Sequence, residues 1–234
     1  MSKFDVPQVV HDILEEFKSP HSTEEIDVAT RIRLFKTHSH EMERFFATLA
    51  KRARSATAKA SKSSLPGKWV RCISYDYSTM PLSYVGSLKS SSRFVHGSGQ
   101  PTIYLAEDPD TATKEVRFSH HFRATTCFGI EYNLRFVLDL TDTKNLYKNF
   151  RISRDYFRMP WEMFNNIGIK YYTQYLSDFL RTLPIEGFVY ESVQNPGKKC
   201  ICIFADKLLQ GSSLKVIGTY AGFESCNLEL VGSI

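Results

Sequence analysis

The chain has 234 residues, 42% of them hydrophobic and 13% aromatic, and a formal net charge of +5. That composition supplies a proper core and excludes global disorder, and no window approaches the roughly 18 apolar residues of a bilayer-spanning helix. Met1 to Glu16 mixes acids with single apolar residues instead of a signal peptide's apolar run, so a soluble, cytoplasmic protein of one generous domain, or one domain with an appendage, is expected.

Val9, Val10, Ile13, Leu14 and Phe17 recur at helical spacing and predict a helix that stops near Ser19-Pro20. A second helix is expected from Ser22 or Thr23, with Glu24 or Glu25 in its first turn as in a capping box. Its apolar stripe runs through Ile26, Ala29, Ile32, Phe35, Met42, Phe45, Phe46 and Leu49, and such a stripe has to be buried somewhere. The helix fades into Arg54–Ser64, a small-residue basic stretch ending at Pro66-Gly67, which is the best linker candidate in the chain. Lys51, Arg52, Arg54, Lys59, Lys62 and Lys68 gather around it with no carboxylate among them. Without interleaved aromatics this run reads as a solvated face, and direct nucleic-acid binding is not expected.

Past the linker the pattern changes. Trp69–Ile73 and Thr102–Ala106 read as short strands. Asp108-Pro109 opens a helix, with Asp108 as N-cap, Pro109 at the first helical position and Glu115 on the second turn. Leu134–Leu140, Gly187–Tyr190 and Cys200–Phe204 are strand-like, and Trp161 to Leu183 between them is aromatic-rich with helical spacing. A strand pair, Lys215–Tyr220 and Leu228–Val231, follows, and there is no internal repeat. The expected class is α+β with a helical prefix.

Five cysteines (Cys72, Cys127, Cys200, Cys202, Cys226) form no Cys-x-x-Cys pair. Cys200 and Cys202 alternate within an apolar run, where they share one face of a strand. The set reads as small core hydrophobes, not metal ligands or disulfide partners, in a reducing compartment.

The usual catalytic templates fail. Gly97-Ser98-Gly99 lacks the spacing of a nucleophile elbow and the lysine of a phosphate loop, and no dinucleotide fingerprint is present. His120-His121 and His38/His40 lack metal-ligand spacing, so no metal is expected. What remains are polar residues on apolar elements: Arg71 inside a strand, Arg93 after three serines, Tyr104 on the strand that feeds the Glu115 helix, and Ser192 after Gly187–Tyr190. Taken singly, the arginines also read as salt-bridged structural residues, Tyr104 as core, Glu115 as helix surface and Ser192 as a turn former.

Taken together they resemble a known family. Trp69-Val70-Arg71, Ser92-Arg93-Phe94, the run from Tyr104 to Glu115, Val137–Asp142 and Gly187–Ser192 match the RES domain in order and approximate spacing, over more than half the chain. Two departures are Ser92, where the family usually has glycine, and Val95-His96, where it has small polar residues. The resemblance implies an ADP-ribosyltransferase-like mixed β core with flanking helices across residues 65–234, preceded by a helical extension over 1–64. It implies a toxin that depletes NAD or transfers ADP-ribose, silenced by a helix-turn-helix (Xre-like) antitoxin.

The residue types suit NAD as substrate. Arg71 and Arg93 offer a clamp for its pyrophosphate, with Glu115, Arg71 and Ser192 as the catalytic set. Cleavage of the nicotinamide–ribose bond passes through an oxocarbenium-like state that the carboxylate of Glu115 can stabilise. Tyr104 can stack on a base for roughly 1 kcal/mol, and Ser192 can hydrogen-bond the nicotinamide amide or a ribose hydroxyl. The leading expectation is NAD glycohydrolase or NAD phosphorylase activity. ADP-ribosylation of a protein target is the alternative, and a non-enzymatic nucleotide- or antitoxin-binding module is the third. The prefix is open to docking on the body, homo-oligomerisation, antitoxin binding or delivery.

Overall fold

The structure is a computed structural model that describes residues 39–47, 63–97, 99–119, 124–142, 155–158, 161–166 and 168–219. The expected helix over 9–17, the strand at 228–231, Cys226, His38 and His120-His121 lie outside these residues. In chain order the elements are helix α1 (39–47), strand β1 (Ser63–Ser74), a 3-10 turn (Tyr75–Tyr77), α2 (Val85–Lys89), β2 (Thr102–Ala106), α3 (Pro109–Ser119), β3 (Thr125–Asp139), α4 (Asp155–Arg158), α5 (Trp161–Asn166), α6 (Tyr172–Arg181), β4 (Gly187–Glu191), β5 (Lys199–Phe204), a 3-10 turn (Ala205–Lys207) and β6 (Ser213–Thr219). This mixed set is the expected α+β class. Among the described residues no helix is long and apolar enough to cross a membrane.

The chain divides into two compact units: Met1–Lys59, Ser90–Ser98 and Thr143–Leu183 in one, Ala60–Lys89, Gly99–Asp142 and Pro184–Ile234 in the other. The second holds the sheet, in the order β1-β2-β5-β4-β3-β6, with β1 also pairing β3. The ladder therefore runs from β1 through β2, β5, β4 and β3 back to β1, with β6 added on β3. Among the described strands β3 and β4 run parallel, and the other pairs are antiparallel.

Two strands extend beyond their sequence-based bounds. β3 begins at Thr125, nine residues before the expected Leu134, although Gly129 breaks its apolar pattern. That glycine fits because Ile217 of β6 crosses it, its Cγ1 only 3.1 Å from where a Cβ would lie. β1 begins at Ser63, so the expected linker ends inside a strand, and Pro66-Gly67 is no turn: it pairs with Asn133 and Tyr132 of β3. A Cβ on Gly67 would sit 2.6 Å from the Tyr132 ring, so the glycine serves a close approach of ring to backbone.

Strand alternation sorts side chains onto two faces. Ile103, Leu105, Phe128, Ile130, Val189, Ile201 and Ile203 form the core on one face, with Trp69 and Ile73 packed against it. Tyr104, Cys200, Cys202, Phe188 and Tyr190 take the other. Burial of each large apolar side chain contributes about 1.5–3 kcal/mol. Glu186, fully buried just before β4, accepts main-chain N–H bonds from Arg135 at 2.6 Å, Phe136 at 2.9 Å and Leu209 at 2.9 Å. A buried carboxylate needs such donors, and these three tie β4 to the end of β3 and to the segment before β6.

In the other unit, Met42, Phe45 and Phe46 of α1 are buried, as the apolar stripe requires. Phe46 packs on Tyr172, Tyr175 and Phe179 of α6, with centroids 5.4, 6.1 and 6.1 Å away. The helical stretch from Trp161 to Leu183 is two helices. Gly168 adopts φ +76, a left-handed conformation that ends α5, and its N–H returns to the Asn165 carbonyl. α6 then opens with the Tyr171 N–H on Gln174 Oε1 at 2.7 Å.

Candidate active site

The Glu115 helix starts as its sequence dictates. Asp108 Oδ1 accepts the Thr111 N–H at 2.7 Å, and Pro109 is the first helical residue. Burial pushes the Asp108 carboxyl up, but the Thr111 N–H and Lys198, 3.1 Å away, outweigh it and hold it below the usual range.

Glu115 faces the loop after β4. Ser192 Oγ donates to Glu115 Oε1 at 2.6 Å, and the Gln194 N–H points at the same oxygen from 3.5 Å. Ser192 is 2% exposed, and its Oγ accepts the Asn195 N–H at 3.0 Å. Asn195 in turn reaches back to α3. Its Nδ2 donates to Thr111 Oγ1 at 2.8 Å and Asp110 Oδ2 at 3.2 Å, while its Oδ1 accepts from Lys114 Nζ at 3.3 Å.

Tyr190, Cys200 and Tyr104 lie on the sheet face that α3 covers. Burial raises the Tyr190 hydroxyl well above its ordinary value, and the nearby Glu115 carboxylate pushes it further. Burial likewise raises the Cys200 thiol, with Glu115 adding to the shift. Both groups stay protonated, so the carboxylate stands over a neutral, water-poor wall.

Arg71 leaves β1 on the opposite face. It is in register with Phe128 of the core, whereas its neighbour Val70 is in register with Ala106, on the Tyr104 side. The Arg71 guanidinium donates to the Pro81 carbonyl at 2.8 Å and the Ser83 carbonyl at 2.7 Å. Burial lowers it to about 10, so it remains charged at neutral pH. Arg93 belongs to the other unit, where it donates to the Phe157 carbonyl. Its turn is clamped there. Gln174, fully buried, donates to the Ser92 and Val95 carbonyls at 2.8 and 3.1 Å, and Thr173 donates to the Arg93 carbonyl. The structure thus brings Glu115, Ser192 and Tyr104 to one side of the sheet unit and sets Arg71 on the other.

Two cysteines depart from expectation. Cys72 and Cys127 are direct partners in the β1–β3 register, with Cα atoms 4.0 Å apart, and are joined by a disulfide. Fifty-five residues separate them in sequence, and only the strand register sets them opposite each other. Thr113 of α3 sits over the pair, its Oγ1 3.7 Å from each sulfur. Cys200 and Cys202 are buried thiols within β5, as expected of small core residues. Among the described residues no group of three or more His, Cys, Asp or Glu side chains is placed to hold a metal ion.

Asn195 and Thr111 were not legible as site residues, nor was Gln174 as the clamp of the Arg93 turn in the other unit. Asn195-Pro196-Gly197 reads as a turn, and nothing in that tripeptide announces a partner 84 positions away.

No curated protein matches the chain. Seven chains of solved structures do. One comes from the M. tuberculosis MbcT–MbcA toxin–antitoxin complex, with a TM-score of 0.57 and 15% identity, the match covering 78% of this chain and 92% of that one. At that identity the likeness is one of fold. The family comparison is sequence-based: the RES domain matches residues 68–219, a span that takes in Arg71, Arg93, Tyr104, Glu115 and Ser192. By its own sequence, then, and over most of its length, this chain belongs to the RES domain family.

Proposed function

We propose that this protein is a toxin that cleaves NAD at the nicotinamide–ribose bond. The observation that carries the proposal is the 2.6 Å hydrogen bond from Ser192 to Glu115, which aims a carboxylate over the Tyr190–Cys200 wall. In the reaction the C1′–N bond breaks, its electron pair leaves with nicotinamide, and positive charge develops on the ribose. Glu115 stabilises that charge, more strongly above a poorly hydrated wall than in water. The oxygen of water then bonds to C1′ and releases a proton to solvent or to Glu115, or an oxyanion of phosphate bonds there with no proton to release. Ser192 acts here as a donor that orients Glu115, not as a nucleophile, and Tyr104 stacks on a base. Arg71 commits two of its five N–H groups to the Pro81 and Ser83 carbonyls and so anchors residues 81–83.

A helix-turn-helix antitoxin is the partner we propose, supported by family membership and by the fold likeness to a chain of a toxin–antitoxin complex. The test is nicotinamide release by purified protein supplied with NAD and water, phosphate or lysate protein. Wild type should release nicotinamide, and Glu115→Gln should lose at least about 100-fold in rate while keeping its thermal unfolding midpoint. NAD left intact by wild type under all three conditions overturns the proposal.

A further inference from the structure

Between β4 and β5 the chain makes a closed loop: the Ser192 N–H bonds to the Lys198 carbonyl at 2.7 Å, and the Lys198 N–H to the Asn195 carbonyl at 3.1 Å. Gly197, at φ +89, turns the chain so that its N–H reaches Glu191 Oε1 at 3.0 Å. Those bonds fix the shape of the loop but not its position over α3. The Asn195 side chain bonds the first turns of the helix by several contacts at once.

We propose that Asn195 is a positioning residue for the Glu115 carboxylate. Its amide is oriented without ambiguity. Lys114 can only donate, so it marks the Oδ1 side, and the Asp110 carboxylate accepts, so it marks the Nδ2 side. Held this way, Nδ2 grips Thr111, fully buried and one helical turn ahead of Glu115. The main-chain N–H of the same residue bonds to Ser192 Oγ and occupies a lone pair, which leaves the hydroxyl proton directed at Glu115. The circuit closes: Thr111 to Asn195, Asn195 to Ser192, Ser192 to Glu115, and Glu115 to Thr111 along one face of α3. Chains of hydrogen bonds of this kind polarise one another, so loss of one link weakens the next. Asn195 itself need touch neither NAD nor its products.

The kinetic effect of Asn195 presupposes the NAD-cleaving reading of the site, whereas its effect on the loop does not. The experiment compares wild type, Ser192→Ala, Asn195→Ala and the double variant, in steady-state nicotinamide release and in amide hydrogen exchange over residues 192–198. Asn195→Ala should lower kcat about tenfold with KM for NAD within about twofold. The same change made in Ser192→Ala should cost little more, because the path to Glu115 is already cut. Asn195→Asp, which keeps the size but loses the Nδ2 donor and faces Asp110, should match Asn195→Ala and serves if the alanine variant folds poorly. A wild-type kcat in Asn195→Ala, or the full tenfold loss again in the Ser192→Ala background, overturns the inference. If wild type releases no nicotinamide, the NAD-cleaving reading falls and exchange alone decides. Faster exchange at the Gln194 and Asn195 amides in Asn195→Ala supports positioning, and unchanged exchange overturns it.

Discussion

Gly187→Ala should be among the most destabilising single-methyl additions available to the sheet. Gly187 opens β4 in register with Ile203 of β5. A Cβ there would lie 2.3 Å from the Cys202 carbonyl oxygen, 3.1 Å from Ile203 Cα and 3.2 Å from the Cys202 carbonyl carbon. Ordinary contact begins at 3.4 Å, so the oxygen must retreat by about 1 Å. All three atoms are main chain, so no rotamer change relieves the clash, and β4 and β5 have to separate. Overpacking costs about 1–3 kcal/mol, and a clash that only backbone movement relieves belongs at the top of that range. About 3 kcal/mol is a large share of the roughly 5–15 kcal/mol that holds a domain folded, and it lowers the melting point by about 6–12 °C. Thermal and urea unfolding followed by far-UV circular dichroism gives the number. Gly86→Ala in α2 is the control, since nothing lies within 4 Å of its added Cβ, and it should match wild type or gain up to about 1 kcal/mol. A Gly187→Ala stability within about 0.5 kcal/mol of wild type refutes the reasoning.

Glu186→Gln should cost about 2–3 kcal/mol in urea unfolding, because an amide cannot accept at both ends from the three N–H groups that Glu186 now satisfies. Tyr132 is pushed up to about 12 by burial, while the unfolded chain titrates it near 10. Its contribution is therefore complete below pH 10 and lost as pH rises through 10 to 12, and Tyr132→Phe should flatten that alkaline decline by on the order of 2 kcal/mol. Reducing the Cys72–Cys127 bond, which closes a 55-residue span, should lower stability by about 4 kcal/mol on the chain-entropy model. Melting with and without a phosphine reductant measures this, and Cys72→Ser should melt alike in both.

The start of α3 was legible because capping is local: an aspartate, a proline and a helical run state their own geometry within four residues. The strands at Thr102–Ala106, Gly187–Glu191 and Lys199–Phe204 were legible for the same reason, as short β-branched and aromatic runs. What escaped depends on register. Gly67 reads as the end of the linker and Gly129 lies ahead of the expected strand, but each is a place where a partner's side chain, Tyr132 or Ile217, crosses the strand. The Cys72–Cys127 pair and the Asn195–Thr111 bond likewise exist only once distant segments are aligned. Arg71 could be picked out as a buried cation, but which face of β1 it leaves follows from its pairing with Phe128.

The bond between Ser192 and Glu115 spans 77 residues, and that distance is also a delay. At roughly 5–20 residues per second of synthesis, about 4–15 seconds separate the carboxylate from the hydroxyl that aims it. β2, which leads into the Glu115 helix, waits longer still for β5, whose paired residues lie about 100 positions on, and until then its ladder contact among the described residues is the Val70–Ala106 pair with β1. A nascent chain therefore carries its acid well before it carries the means to orient it. On the proposed reading of the site, an interval of inactivity is built into the order in which the strands are made.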